Sequence, residues 1–307
     1  MMIPRRLFPL VTLSIAAALA GCASEDSAPG AITLTDGLGR QVTLQAAAQR
    51  VVSLAPSNTE LLFEVGAGAQ AVGRDVFSDY PAAAAALPSV GGSGSVYDAQ
   101  AIVALKPDLV LAAGINTREQ VESLASLGLN VFYLSNPSDL AGLFLNLQLV
   151  GALTGKSEPT EALIATLWAR VEAVIDKLPL ITTHYRVYYE LDAPDPARPF
   201  TAGPGSYIHT LLERAGDQNI AGSLGSPFTS ITSAEVIAQN PDFILLGDSD
   251  YGVTVESVRQ RAGWSAIGAV QNGRVVVFDN DIVSRPTARI VDAVERLAKL
   301  FHPEVFP

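Results

Sequence analysis

Cysteine and histidine are scarce in this chain, which has one cysteine and three histidines among 307 residues. A single cysteine cannot form a disulfide within the chain. Zinc and manganese sites need several histidine and carboxylate ligands that converge on one ion, and His184, His209 and His302 lie far apart in the sequence. We therefore expect no intrinsic cofactor and no resident metal, and a zinc- or manganese-binding lipoprotein is a distant alternative.

The motifs of common hydrolases are also missing. The sequence contains no Gly-x-Ser-x-Gly elbow and no pair of histidines at helical spacing. No pair of carboxylates stands out as a general acid and base. We therefore predict that the chain is not an enzyme, and an exported hydrolase is the alternative from another functional class.

Positive charge is outweighed by negative charge. The chain has 20 lysine and arginine residues against 31 aspartate and glutamate residues, and its formal net charge at pH 7 is −11. An acidic protein is a poor partner for nucleic acid and for anionic lipid. Hydrophobic residues make up 49% of the chain, which suffices for packed cores. We expect a soluble folded body with no nucleic-acid partner.

Residues 1–31 have the pattern of an export signal followed by a tether. Arg5 and Arg6 precede an apolar segment that is too short to span a bilayer as a mature helix. Residues 19–22 read Leu-Ala-Gly-Cys, the form of a lipoprotein signal-peptidase site. We predict a signal peptide over residues 1–21, lipidation of Cys22 and a flexible tether over residues 22–31. The chain would then be exported and anchored by its lipid to the outer face of the cell membrane or in the periplasm.

One short pattern occurs twice in the chain. Residues 102–111 and 236–246 each read as a short helix, a Pro-Asp turn and an apolar run. Such a run suits a strand that is buried on both faces of a parallel sheet. Two copies so far apart indicate two similar α/β lobes rather than one continuous domain. We predict an α/β fold with two Rossmann-like lobes, over residues 32–137 and 181–307, and a ligand cleft between them.

Helical periodicity fills the region between the predicted lobes. Leu140, Leu143 and Leu147 recur at helical spacing, as do Leu163 and Leu167 further along. The pattern predicts a helical connector over residues 138–180 that is interrupted near residues 155–159. A connector of this kind would restrain the lobes to small closing movements.

Loops that follow the carboxyl ends of parallel strands face such a cleft. Ser57 follows the first buried strand, and Phe77, Tyr80 and Tyr97 lie in or beside an irregular segment. Aromatic faces suit a large flat ring, because they bury area at low entropic cost. Arg285, at a predicted helix start, can donate hydrogen bonds to amides, phosphates or carboxylates. We predict that these five residues contact the ligand.

Several segments in this order and spacing resemble the iron-siderophore/vitamin B12 class of periplasmic substrate-binding proteins of ABC importers. The segments are both Pro-Asp copies and residues 50–60, 78–81, 87–92, 199–203 and 285–289. The resemblance covers about residues 32–303, and residues 78–81 look most like the vitamin B12-binding members, as do Asp281, Arg285 and Arg289. It implies two α/β lobes that are joined by one long rigid helix.

The resemblance also implies a ligand class. The positions that match ligand contacts of the vitamin B12-binding members are Phe77, Phe228, Asp281 and Arg285. The implied ligand is a corrinoid or an iron chelate, with ferric siderophore and haem as open alternatives. Haem would use an axial tyrosine such as Tyr80, whereas an anionic catecholate would favour several arginines, with Arg74 and Arg198 as candidates beside Arg285.

Members of this class dock on their permease through one acidic residue on each lobe, near the start of the helix before each Pro-Asp turn. Glu235 lies near this position in the second lobe, where it also completes a capping box with Thr232. Gln100 occupies the position in the first lobe, with Asp98 two residues away. The resemblance thus implies the permease and ATPase subunits of an importer as partners, and we expect the chain itself to act as a monomer.

Overall fold

The computed structural model describes residues 30–92 and 96–307. The predicted signal peptide, Cys22 and nearly all of the predicted tether lie outside the described residues. Within the described part, no helix combines the length and the apolar character that a membrane crossing requires.

The described strands form three sheets. They are β1 Ile32–Thr35, β2 Gln41–Leu44, β3 Val51–Ser53, β4 Ala71–Arg74, β5 Leu109–Ala112, β6 Val131–Tyr133, β7 Arg186–Asp192, β8 Phe200–Ala202, β9 Gln218–Asn219, β10 Phe228–Ser230, β11 Phe243–Leu246 and β12 Val275–Val277. We call the part that contains β1 to β6 the N-lobe and the part that contains β7 to β12 the C-lobe.

The described α-helices cover the sheets and connect the lobes. They are α1 Pro56–Glu64, α2 Ala82–Ala85, α3 Ala99–Ala104, α4 Arg118–Ser126, α5 Leu140–Thr154, α6 Ser157–Ile175, α7 Tyr207–Arg214, α8 Ser233–Gln239, α9 Val255–Arg259, α10 Gly268–Gln271, α11 Asn280–Ser284 and α12 Arg289–Phe301.

Both lobes are built on parallel strands, which confirms the predicted α/β fold. The main sheet of the N-lobe has the order β4-β3-β5-β6 and is parallel throughout. The sheet of the C-lobe has the order β10-β8-β7-β11-β12, and β9 pairs with β7. Its β8 is antiparallel to both β7 and β10, so this sheet is mixed rather than wholly parallel. The reason is the short connection from β7 to β8, since a parallel pair needs a crossover of a dozen or more residues.

The two Pro-Asp turns have the same structure and the same task. Each follows a residue in the left-handed region, Lys106 at φ 48° and Asn240 at φ 44°. The Asp108 carboxylate accepts a hydrogen bond from the backbone N–H of Arg50 at 3.0 Å, just before β3. Asp242 accepts one from Arg186 N–H at 2.8 Å, at the start of β7. The repeated aspartate therefore ties the beginning of its own strand to the beginning of the neighbouring strand.

The connector between the lobes consists of two helices that pack against each other, α5 and α6. They are separated at Gly155, whose φ of 70° is favoured by glycine, so the break falls where the sequence predicts it. Of the described helices α6 is the longest, with 19 residues, and it packs on α12 of the C-lobe. One hydrophobic core runs from α1 through both connector helices to α12. This shared core joins the lobes firmly.

Candidate functional site

A cavity of about 620 Å³ lies between the two lobes. Its volume falls within the range of small-molecule sites. Its walls come from the segments after β3, β4, β5 and β6 in the N-lobe and from residues around β7, β10, β11 and α11 in the C-lobe. These are mainly the carboxyl ends of parallel strands, the place where α/β proteins bind ligands.

Six of the seven predicted ligand contacts line this one cavity. They are Ser57, Phe77, Tyr97, Phe228, Asp281 and Arg285. Tyr80 is not among the lining residues, and its prediction as a contact is not supported by the geometry. Its ring lies on the guanidinium of Arg289, with 4.2 Å between the guanidinium carbon and the ring centroid. A cation–π contact of this kind explains where the ring points.

Ser57 enters the cavity because of the way α1 begins. Strand β3 ends at Ser53, and Ala55 is the N-cap of α1. Pro56 occupies the first helical turn, where its missing N–H is not needed. Ser57 is half-buried, lines the cavity and can offer a hydroxyl to a ligand there.

Tyr97 uses its hydroxyl to build the wall of the N-lobe. The hydroxyl donates to the Leu54 carbonyl at 2.8 Å and accepts from the Asn116 amide at 2.7 Å. Asn116 in turn accepts from the Ala113 N–H at 2.8 Å. Burial raises the pKa of the Tyr97 hydroxyl. The phenol thus links the end of β3 to the loop after β5, and what it offers a ligand is its ring.

Phe77 is presented by a braced turn. The buried carboxylate of Asp75 accepts hydrogen bonds from Phe77 N–H at 2.9 Å and from the Ser78 hydroxyl. Ser78 also lies 2.7 Å, oxygen to oxygen, from the Thr59 hydroxyl on α1. Burial raises the pKa of Asp75. The turn is therefore fixed from within, while the Phe77 side chain stays 55% exposed at the cavity.

Arg285 lines the cavity but is not a free donor. Its Nη1 donates to Glu60 at 3.0 Å and to Asp79 at 2.7 Å, and its Nη2 lies 3.0 Å from Asp281. The side chain is only 14% exposed. Three carboxylates thus already hold the guanidinium, and contact between Arg285 and a ligand stays a prediction.

Glu60 is a buried acid beside the cavity that the sequence patterns do not identify. Its side chain on α1 is fully buried, and it also accepts from Thr287 Oγ1 and from Arg289 Nη1, each at 3.0 Å. Burial raises the pKa of Glu60, and the hydrogen bond and charge of Arg285 together with the charge of Arg289 partly offset that rise. We call Glu60, Asp79, Asp281, Arg285 and Arg289 the interface cluster, because it joins the two lobes beside the cavity.

Glu64, one helical turn after Glu60, continues this contact between the lobes. It accepts a hydrogen bond from the Ala288 N–H, just before α12, at 3.0 Å. Burial raises its pKa to about 7. The signal for both acids was present in the sequence, since Glu60 and Glu64 are spaced by four residues, as are Arg285 and Arg289. In the structure both arginines contact Glu60, and Glu64 bonds to the backbone instead.

Amide and hydroxyl groups complete the wall of the C-lobe. Asn280 and Ser284 line the cavity, and the Ser284 hydroxyl donates to the Asn280 side-chain oxygen. Phe228, at the start of β10, and Tyr251 present rings that are 47% and 78% exposed. Both lobes thus offer aromatic faces, and the C-lobe adds groups that can bond to amides.

The predicted docking residues lie outside the cavity lining. Gln100 is exposed on α3, and Glu235 is exposed on α8. Glu235 forms the predicted capping box: it accepts from Thr232 N–H at 2.8 Å, while its own N–H donates to Thr232 Oγ1 at 3.2 Å. These hydrogen bonds lower the pKa of Glu235. Docking through either residue stays a prediction.

The histidines are engaged separately. His302 pairs with Asp217 at 2.9 Å, His209 lies 3.3 Å from Glu213, and His184 Nδ1 lies 2.6 Å from the Gly216 carbonyl. Among residues 30–92 and 96–307, no group of three or more His, Cys, Asp or Glu side chains is arranged to hold a metal ion.

Comparison with known proteins gives a consistent picture. The family model described as periplasmic binding protein matches residues 51–282. A cobalamin-binding protein of Halobacterium salinarum is 30% identical over 278 residues, which cover 88% of this chain and 74% of that protein. YvrC of Bacillus subtilis, described as an uncharacterized ABC transporter substrate-binding lipoprotein, is 27% identical over 90% of this chain and 87% of its own.

A solved structure shares the fold. The crystal structure of the periplasmic vitamin B12-binding protein BtuF of Vibrio cholerae superposes with a TM-score of 0.71 at 23% identity. The match covers 83% of this chain and 97% of that structure. At this level of identity the likeness establishes the two-lobed architecture.

Proposed function

This chain belongs to the periplasmic binding protein family, and we propose that it captures a cobalamin-like metal chelate between its lobes and delivers it to the permease of an ABC importer. Binding proteins of such importers, rather than enzymes, are its relatives. The observation that carries the choice of ligand is the absence of an uncompensated positive charge among the described residues that line the cavity.

The charge of the cavity favours a neutral ligand. Among the described residues that line it, Asp281 and Arg285 alone are charged, and they form an ion pair at 3.0 Å. An anionic ligand would need a positive cleft to offset the loss of its hydration. Cobalamin carries many amide groups and little net charge, so a polar but neutral cavity suits it.

The arginines that an anionic catecholate would use are not assembled at the cavity. Arg74 and Arg198 are not among its lining residues. Arg74 donates to backbone carbonyls, at 2.8 Å to Asp75 and at 3.1 Å to Val76 and to Ala85, and so stabilises its own loop. Tyr80, the candidate axial ligand for haem, lies on Arg289 instead. These placements favour a corrinoid over a catecholate or haem.

The remaining groups suit a large ring that carries amides. Phe77 on one lobe and Phe228 and Tyr251 on the other offer partly exposed rings for the faces of a corrin. Asn136, Asn280 and Ser284 offer the hydrogen bonds that amide side chains of the ligand require.

We also propose that Cys22 carries the lipid that anchors the protein outside the cytoplasmic membrane. The Leu-Ala-Gly-Cys sequence at residues 19–22 and the lipoprotein relative YvrC support this placement. Mass spectrometry of the exported protein would show a lipid-modified N-terminus at Cys22, and an unmodified cysteine there would contradict the proposal.

Calorimetric titration tests the ligand. Neither tryptophan, Trp168 or Trp264, lines the cavity, so heat is a better signal than tryptophan fluorescence. We expect saturable one-to-one binding of cyanocobalamin and weaker binding or none of haem and of a ferric tricatecholate. Tight binding of a siderophore or haem, with no binding of any corrinoid, would overturn the proposed ligand.

A pair of phenylalanine variants shows whether the heat comes from the cavity. Phe77→Ala should weaken cyanocobalamin binding by about 10- to 100-fold, the equivalent of burying one such side chain. Phe200→Ala is the matched control, because Phe200 is 46% exposed and does not line the cavity. Equal effects of the two substitutions would place the ligand elsewhere.

A further inference from the structure

The charges of the interface cluster come from opposite lobes. Arg285 and Arg289 belong to the C-lobe, whereas Glu60 and Asp79 belong to the N-lobe. The N-lobe acids reach Arg285 at 3.0 and 2.7 Å, and Glu60 reaches Arg289 at 3.0 Å. With Asp281 of the C-lobe at 3.0 Å, three acids face two arginines. The two arginines beside the cavity therefore bring no excess of positive charge.

We infer that Glu60 and Asp79 determine the charge selectivity of the cavity, so that it accepts neutral chelates and rejects anionic ones. The inference rests on the proposed role of this cavity as the ligand site. It adds that the cavity distinguishes ligands by their charge. Neither residue lines the cavity. Both act on the ligand through Arg285, which does.

The first reason is electrostatic. The Glu60 side chain is fully buried, so its negative charge is poorly screened by water and salt. An anionic group of a ligand that approaches Arg285 would meet this charge only a few ångströms behind the guanidinium. Repulsion of this kind excludes unwanted ligands without weakening contacts to neutral ones.

The second reason is geometric. A carboxylate or catecholate is bound best by two parallel N–H groups of one guanidinium. Both terminal nitrogens of Arg285 are already engaged, Nη1 by Glu60 and Asp79 and Nη2 by Asp281. An anionic ligand would have to displace one of these acids to obtain a forked contact. An amide oxygen needs only a single donor, so a neutral ligand does not have to displace an acid from Arg285.

The test compares matched ligand pairs on matched variants. The first pair is cyanocobalamin and its derivatives in which corrin side-chain amides are hydrolysed to carboxylates. The second pair is a neutral ferric trihydroxamate and a ferric tricatecholate, which is strongly anionic. Calorimetry at low ionic strength gives the affinity ratio of neutral to anionic member for the full-length protein and each variant.

The variants are Asp79→Asn, Glu60→Gln and the control Glu122→Gln. The Asp79 side chain is 66% exposed, so the Asp79→Asn variant should fold normally. It remains a valid test even if Glu60→Gln, which changes a buried residue, does not fold. Glu122 is an exposed N-lobe acid that pairs at 3.7 Å with Arg118, away from the cavity lining. Thermal melting and circular dichroism establish that each variant is folded.

We expect the wild type to prefer the neutral member by about tenfold or more, and each cluster variant to reduce that ratio by about threefold or more. Glu122→Gln should leave the ratio unchanged. An unchanged ratio in a folded Asp79→Asn overturns the inference, since a purely structural role would alter stability but not charge preference. A wild type that prefers the anionic member also overturns it.

The two ligand pairs separate this inference from the proposed function. If the wild type binds only the siderophore pair and prefers its neutral member, cobalamin is the wrong ligand and the selection rule stands. If it binds cyanocobalamin with no preference over the carboxylate derivatives, the ligand is right and the rule fails. Binding of none of the four ligands contradicts both.

Discussion

One cluster of buried acids and arginines lies between the lobes, and another lies within the C-lobe. In the interface cluster, Glu60 has two arginine partners and the hydroxyl of Thr287. In the inner cluster, Arg261 pairs with Glu190, and its charge also acts on the nearby Asp248. Arg261 donates to both oxygens of Glu190, at 2.5 and 2.7 Å. Neither oxygen of Asp248 has a hydrogen-bond partner among the described residues.

The difference shows two ways of burying acids. Around Glu60, burial raises the pKa of the acid, and two arginines partly offset that rise and so favour its charged form beside the cavity. Where one arginine serves two acids, burial and the neighbouring Glu190 carboxylate raise the pKa of Asp248 to about 7. The interface cluster is thus suited to ligand selection, whereas the inner cluster affects the stability of one lobe and its dependence on pH.

The largest expected effect comes from breaking the inner cluster. Arg261→Met leaves the fully buried Glu190 without a cation and should lower the free energy of unfolding by roughly 3–5 kcal/mol. Urea unfolding measures the loss. The control Arg296→Met removes an exposed ion pair with Asp279 at 3.6 Å and should cost about 1 kcal/mol or less. Similar losses in both variants would show that Arg261 does not compensate a buried charge.

A smaller effect depends on pH. The pKa of Asp248 is raised in the folded state from its ordinary value of 3.8 to about 7, so the folded protein binds the proton more tightly than the unfolded chain does. Stability from this group is fully present below about pH 4 and is lost as the pH rises through 7. Asp248→Asn cannot titrate, so its stability does not fall as the pH rises. Between pH 4 and pH 8 the free energy of unfolding of the variant should therefore increase relative to that of the wild type by on the order of 2–4 kcal/mol.

Urea midpoints of the wild type and Asp248→Asn between pH 4 and pH 8 give this difference. Curves that run parallel across the whole range would mean that folding does not raise the pKa of Asp248, and the contrast between the two clusters would disappear.

The smallest effect on the isolated protein concerns the docking surface. Glu235→Gln should leave ligand affinity unchanged and alter stability by about 1 kcal/mol or less, because the exposed side chain can still cap α8. Capture of the permease by the ligand-loaded protein should nevertheless weaken. Gln100→Ala in the N-lobe is the matched comparison, since a neutral residue offers no ion pair. Equal permease binding by the wild type and Glu235→Gln would remove Glu235 from the docking contact.

The sequence predicts those parts of the molecule that depend on local patterns. The Pro-Asp repeat identifies the two lobes because each copy is a continuous helix–turn–strand segment. Ser57 and Phe77 can be placed at the cavity because loops after parallel strands converge there. The reversed direction of β8 follows from the short loop that joins it to β7, and the length of that loop is visible in the sequence.

Contacts between distant residues could not be read in the same way. Tyr80 lies on Arg289, and Arg285 lies on Glu60, in both cases across the two lobes. No local pattern tells which of several arginines meets a given acid or ring. The four-residue spacing shared by Glu60 and Glu64 and by Arg285 and Arg289 narrows the choice, but only the fold brings the two pairs together.

Hydrogen–deuterium exchange with cyanocobalamin tests the central claim that one ligand is held between both lobes. The account predicts slower amide exchange on ligand addition in residues 55–59, 76–79 and 97–98 of the N-lobe and in residues 280–285 of the C-lobe. Protection confined to one lobe would contradict it. So would protection at the separate cavity of about 520 Å³ that Gln218 and Ser223 line in the C-lobe.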